Sequence, residues 1–223
     1  QIGDFLGVTP RRTIIVGGGR VSLALATRLE QRGEYVVVVE NDAERNEKMR
    51  EEGLTVYDGD GTEADVLREA GIAEAKTVVA TTDDDNANLL VCQTARTKFD
   101  VENVYAQVND PQNMAAFEAL SVTAIDSPMA TAFAIDNEIE RPELAHWMYD
   151  PNDGHDIQEI EMTAERIAGE SIRSLNERIP GGCLIAEIGQ GSDAHVPNPD
   201  ELLEYGDHIT FLGDAEAVDE AVD

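Results

Sequence analysis

Three consecutive glycines, Gly17, Gly18 and Gly19, follow the apolar run Thr13–Val16 and stand directly before Arg20-Val21-Ser22. The chemistry of that pattern is anion binding by backbone. A buried strand runs into a turn, and the turn opens a helix whose first amides have no partner within the helix. Gly17 permits the tight turn, and Gly19 lets N–H groups approach a pyrophosphate. A second apolar run, Val36–Val39, ends in Glu40, whose carboxylate is placed to accept hydrogen bonds from ribose hydroxyls. Ser22 stands where the motif has its third glycine and is small enough to keep helix and strand close. Strand, glycine turn, helix and acid together predict a dinucleotide-binding βαβ unit.

Other chemistries find less support. A dehydrogenase needs an acid or base near the nicotinamide, but His155, His195 and His208 fall on turns and strand ends with no paired acid motif. His146 and His155 form no metal pair, since no third ligand follows at zinc-like spacing. Ser22 has no base and no nucleophile elbow. Cys92 and Cys183 lie far apart in apolar contexts without C-x-x-C spacing, which reads as buried thiols in a reducing compartment. The chain is therefore expected not to be an enzyme, with an NAD-dependent oxidoreductase on a Rossmann core as the alternative reading. Glu40 would repel a 2′-phosphate and favour NAD over NADP by about tenfold, ~1.4 kcal/mol; Arg45 is the nearest cation.

The elements that must position these residues alternate. Strands at Thr13–Val16, Val36–Glu40, Leu54–Tyr57, Thr77–Thr81, Val104–Val108 and Thr123–Ile125 are separated by helices at Val21–Gln31, Ala43–Glu52, Glu63–Ala70, Asp84–Lys98 and Pro111–Leu120. That rhythm predicts an α/β fold, a Rossmann-like doubly wound parallel sheet. Right-handed crossovers then bring Gly17, Glu40, Asp60 and Thr81 to the carboxyl edge, where open α/β sheets bind ligands. Ser127-Pro128 starts a helix reaching about Glu140. Leu144, Trp147, Met148 and Tyr149 crowd beyond Pro142, and this segment either packs on its own sheet or meets a second subunit. From Pro151 the pattern changes to short strands at Gln158–Thr163, Cys183–Ile188, Ala194–Val196 and Ile209–Leu212, with helices at Ser171–Glu177 and from Ala215. This is a small α+β C-domain. The expected organisation is 11–136 for nucleotide binding, 137–154 as a helical linker or interface, and 155–223 for the C-domain.

Charge narrows the partners. The 223 residues carry 46 acids against 16 lysines and arginines, a net charge of -30. The acids recur on every polar face rather than in a tail, and lysine is scarce. This coat suits a halophilic protein, because concentrated salt screens the self-repulsion. It would repel nucleic acid and anionic lipid, and no basic recognition helix opposes that reading. No apolar run approaches the ~18 residues that span a bilayer, so a cytoplasmic protein is expected. The opening from Gln1 to Pro10 reads as the end of a linker, which makes a piece of a longer polypeptide the expectation.

Residues Ile15–Val21, Gly59–Thr62 with Val66–Ile72, Ala80–Asp84 with Asn88–Leu90, Val108–Pro111 and Ser127-Pro128 form an ordered series that resembles the RCK N-domain, the nucleotide-binding module of TrkA-type potassium-transport regulators. Ala168–Ile172, Pro180–Ala186, Val196-Pro197 and Tyr205–Ile209 are similar to the matching C-domain. The resemblance implies a regulatory subunit that binds NAD or NADH, alternatively ATP or ADP. It further implies a homodimer or higher ring, seated in the cytoplasm on a membrane cation transporter or channel subunit. Carried across, the phosphate turn is Gly17, Gly18, Gly19, Arg20 and Val21. Glu40 takes the ribose, Asp60 and Gly61 border the adenine, and Thr82 and Asp83 line the cleft. Gln107 is also counted among the cofactor-binding residues; it stands where many such regulators carry an arginine, which implies that a second cation over the phosphates is missing. Glu118 stands where some members recruit a divalent ion, although a surface acid is the plainer expectation.

Overall fold

The computed structural model describes residues 12–142, 145, 154–162 and 168–222. Its contacts divide into two units that part between Ala132 and Phe133, each with its own sheet. In the first, β1 (Arg12–Val16), β2 (Tyr35–Glu40), β3 (Thr55–Asp58), β4 (Thr77–Ala80), β5 (Asn103–Val108) and β6 (Thr123–Asp126) form one parallel sheet in the order β3-β2-β1-β4-β5-β6. The chain travels from β1 to one edge through α1 (Arg20–Gln31) and α2 (Ala43–Glu51). It returns to the middle after α3 (Ala64–Glu69), then reaches the other edge through α4 (Asp85–Phe99) and α5 (Met114–Glu118).

The unbroken valines and isoleucines of β1 and β2 are explained by cover on both faces, as in parallel sheets generally. Alternate side chains enter opposite cores. Ile14, Val16, Val37 and Val39 pack with Leu67, Val91 and Phe117 on one face, while Ile15, Val36 and Val38 pack with Ala26 and Met49 on the other. The one helix expected over Pro111–Leu120 is instead a 3-10 turn, Pro111–Asn113, followed by the five-residue α5. Asp110 holds that turn by accepting from the Gln112 N–H at 3.0 Å.

The helix α6 (Ser127–Glu140) buries no residue, and Met129, Phe133, Ile135 and Ile139 are exposed along it. It is therefore not an ordinary helix with an apolar stripe packed on its own sheet. Leu144, His146, Trp147, Met148 and Tyr149 lie outside the described residues.

In the second unit β7 (His155–Glu161), β8 (Cys183–Gly189) and β9 (His208–Asp214) form an antiparallel sheet in the order β7-β9-β8, accompanied by α7 (Ile172–Asn176) and α8 (Ala215–Val222). Its core joins Met162, Ile172, Ile188, Leu203, Phe211 and Val218. Ala194–Val196 does not form the expected strand. A single bridge pairs His195 with Ile188, and Pro197 and Pro199 beyond it have no N–H to extend a ladder. Cys183 is half-buried rather than buried.

Candidate nucleotide cleft

The sheet reverses its order between β1 and β4, and a cleft of about 430 Å³ opens at the carboxyl ends there. Its base is the glycine turn. Gly17 has φ +112° and donates to the Val39 carbonyl at 2.9 Å, a conformation that only glycine adopts without strain. Gly18 lies against Glu40, so close that an added Cβ would fall 2.6 Å from the carboxylate side chain. Gly19 is different. It caps α1 with φ -75°, which any residue can adopt, and a Cβ there would meet no protein atom within 4 Å. The protein's own packing requires no glycine at this position; the open space lies over the first turn of a twelve-residue helix, where an anion is favoured.

Ser22 is fully buried, and its hydroxyl meets the Thr81 hydroxyl at 2.8 Å. Thr81 in turn donates to the Val16 carbonyl. The serine in place of the third glycine thus ties α1 to the end of β4 by a hydrogen bond, where glycine would give close approach alone.

Glu40 is 7% exposed. One carboxylate oxygen accepts from the Asn41 and Asp42 N–H groups at 2.8 and 2.9 Å; the other accepts from the Gly18 N–H. Arg45 stands 3.6 Å from that second oxygen. A buried charge with three N–H donors and a cation nearby is held in place rather than left as a desolvated liability. Asp60 curls back to accept from the Thr62 N–H and hydroxyl, and Gly61 approaches Val16 too closely to admit a side chain.

On the opposite wall, Asn88 is fully buried. Its carbonyl oxygen accepts from the Thr82 N–H and hydroxyl at 3.0 and 2.7 Å, and its amide donates to the Thr82 and Gln107 carbonyls. Asp85 accepts from the N–H groups of Asn109 and Asp110 and from the side chains of Asn109 and Asn113. Burial alone would raise its pKa, but the Asn113 amide and those backbone donors hold it below the ordinary value.

The cleft brings together Gly17, Gly18, Gly19, Glu40, Asp60, Gly61, Thr82 and Asp83. Arg20 lines an adjoining hollow instead. Val21 is half exposed on α1 and lines neither. Gln107 does not reach the cleft, because its amide donates to Asn109 at 2.8 Å. Arg45 is a lining residue that the motif reading left out of the site; its one signal is a position five residues after the ribose acid. The histidines of the second unit do have acid partners: His155 with Asp214, His195 with Glu201 and His208 with Glu159. Cys92 is buried, which pushes its thiol up to about 12 and makes it a poor nucleophile. Among the described residues no histidine, cysteine or lysine lines the cleft, and no group of three His, Cys, Asp or Glu could hold a metal ion.

Residues 13–128 match the TrkA-N domain family and residues 157–223 the TrkA-C domain family. The chain is 30% identical over 211 residues to the Trk system potassium uptake protein TrkA homolog of Methanothermobacter thermautotrophicus, covering 93% of this chain and 96% of that protein. It is 32% identical over 203 residues to the Trk system potassium uptake protein TrkA of Streptomyces coelicolor, covering 89% and 88%. Among solved structures, the GsuK channel bound to NAD aligns with a TM-score of 0.52 at 22% identity, over 99% of this chain and 40% of that one. That likeness is one of fold.

Proposed function

Because the chain belongs to the TrkA family of Trk system potassium uptake proteins, with a TrkA-N and a TrkA-C domain, we propose that it is a nucleotide-sensing regulatory subunit of a membrane potassium transporter. The observation that carries the reading is the cleft at the switch point, with Gly19 open over the start of α1 and Glu40 buried beside it. The GsuK channel bound to NAD, a neighbour in fold, supports the same ligand class. NAD or NADH is the preferred ligand, with ATP or ADP as the alternative. A nucleotide supplies a pyrophosphate and a ribose diol. The amides beginning α1 hold the first, and the Glu40 carboxylate accepts from the second, exchanging its Gly18 contact for ribose hydroxyls.

Binding, not catalysis, is the proposed activity. The described lining carries no histidine, lysine or cysteine to serve as a base beside a nicotinamide, and no observation favours an oxidoreductase. A bound nucleotide can shift a transporter only by the difference between its affinities for two arrangements of the subunit. The division of labour follows the domain reading: 11–136 binds, 137–154 connects and 155–223 forms the C-domain, in the cytoplasm against the transporter. No helix among the described residues is long and apolar enough to cross a membrane.

The test is thermal stabilisation by NAD⁺, NADH, ATP and ADP, since a ligand of the folded state raises the melting temperature with concentration. Gly19→Asp is the control. An aspartate suits a helix N-cap, so the fold is preserved while its carboxylate occupies the phosphate position. Stabilisation of both proteins alike would refute the site. Assembly as a homodimer through α6 is the companion proposal, because Phe133 and Ile139 are 63% and 71% exposed there. Light scattering should find a dimer at micromolar concentration, and Phe133→Asp should weaken it by at least about tenfold. A wild-type monomer would remove this part of the reading.

A further inference from the structure

Behind the wall formed by Gly18 and Glu40 lies a second hollow of about 290 Å³, between the first turn of α1 and the middle of α2. Gly18, Gly19 and Arg45 line both hollows, so the two are contiguous. The second adds Arg20 and Lys48 over an apolar floor of Leu23 and Met49. Three cations therefore converge in a chain that has 16 against 46 acids.

Two of them are not engaged. The side chains of Arg20 and Lys48 form no hydrogen bond or ion pair among the described residues. Glu44 stands four residues before Lys48, the spacing and direction that favour a pair along a helix, and none forms. On a surface so rich in carboxylates, a lysine and an arginine left without acids beside an anion-binding turn make an electropositive receptor.

We propose that this hollow takes a phosphate esterified to the adenosine ribose, so that the chain accepts an NADP-type dinucleotide about as well as NAD. The inference rests on the nucleotide reading above. Glu40 marks where the ribose hydroxyls sit, and a substituent passing this carboxylate on the α2 side enters the hollow. In dinucleotide-binding units the acid takes an unesterified ribose and a nearby arginine accommodates a 2′-phosphate; here both are present, Glu40 and Arg45, and Lys48 and Arg20 join the arginine. Three exposed cations on the α2 side stand opposite the Glu40 carboxylate, itself turned toward N–H donors, and offset the repulsion expected from it, while Asp60, Asp83 and Asp84 line the adjoining cleft.

Isothermal titration at one fixed ionic strength tests this with NAD, NADP, 5′-AMP, adenosine 2′,5′-bisphosphate, ADP and ATP, on wild type and Lys48→Gln. Lys48 is exposed, so the variant folds normally. NADP should bind wild type within about threefold of NAD, and Lys48→Gln should weaken NADP and the bisphosphate by about tenfold while leaving NAD and AMP unchanged. NAD binding with NADP rejected by more than about tenfold would overturn this inference and leave the nucleotide reading intact. Loss confined to ATP relative to ADP would give the hollow to a terminal phosphate and overturn the ribose assignment. Failure of every nucleotide to bind would remove the underlying reading as well.

Discussion

The two walls of the cleft are both polar and both built at strand ends, yet their groups are used differently. On the β4–β5 wall the side chains of Asn88, Asp85 and Asn109 are occupied by one another and by nearby backbone. On the β1–β2 wall Gly19 is open, and Arg20 and Lys48 are unengaged. One wall is fixed by its own hydrogen bonds; the other has donors and cationic side chains that no described protein group engages. Position in the cleft therefore does not identify a ligand-binding group. Satisfaction of polar atoms does not do so alone either, since Glu40 is held by three N–H groups; what sets the β1–β2 wall apart is the open Gly19 beside unpaired cationic side chains.

The sharpest way to break that contrast is to compare one residue from each wall. Asn88→Ala removes four hydrogen bonds from a fully buried site and leaves the Thr82 N–H without its partner. The Thr82 carbonyl keeps the Asn109 amide at 3.3 Å, so the loss falls mainly on the Thr82 N–H and should cost on the order of 2–3 kcal/mol, lowering the melting temperature of the unliganded protein by roughly 10 °C. Gly19→Asp should do the opposite. The unliganded melting temperature should hold to within about 2 °C, while nucleotide affinity should fall at least about tenfold. A thermally silent Asn88→Ala, or a Gly19→Asp variant that unfolds, would reverse the roles assigned to the two walls.

Much of the open wall was legible in the residues, because its chemistry is local. Strand, glycine turn, helix and acid lie within 40 residues, and each step has a spacing that physics dictates. The fixed wall was less so. Asn88 joins residues 6 and 19 positions away, and nothing in its neighbourhood distinguishes it from a surface amide on a helix. Gln107 was expected over the phosphates by analogy of position. β5, however, sends Val104, Ala106 and Val108 into one core, and Gln107, on the opposite parity, finds Asn109 instead. The basic hollow was also hidden, because α2 is charged along its length and only folding places Arg45 and Lys48 beside Arg20. The acid partners of His155 and His208 lie 59 and 49 residues away, beyond any motif. A rule based on spacing finds groups that act together along the chain, and misses those assembled by the sheet.

The smallest effect concerns Asp85 on the fixed wall. Asp85 is held below its ordinary value of 3.8, because the Asn113 amide and the Asn109 and Asp110 N–H groups outweigh the opposing effect of burial. A carboxylate whose folded pKa is depressed stabilises the fold fully above its unfolded pKa, and this contribution is lost as pH falls through the folded value. Many other acids titrate in the same window, so the useful quantity is a difference. Asp85→Asn should melt below wild type at pH 6 to 7, and the gap should narrow as pH falls below the ordinary carboxylate value and through the lowered folded one, because the unfolded chain takes up the proton first. The unliganded protein is the one to measure, since the nucleotide proposed for the other wall would add its own pH dependence. A gap that stays constant down to pH 3 would mean that the donors around Asp85 recognise its shape and not its charge. The wall would then be fixed by geometry alone, and its contrast with the cationic wall opposite would be one of hydrogen-bond satisfaction and not of charge.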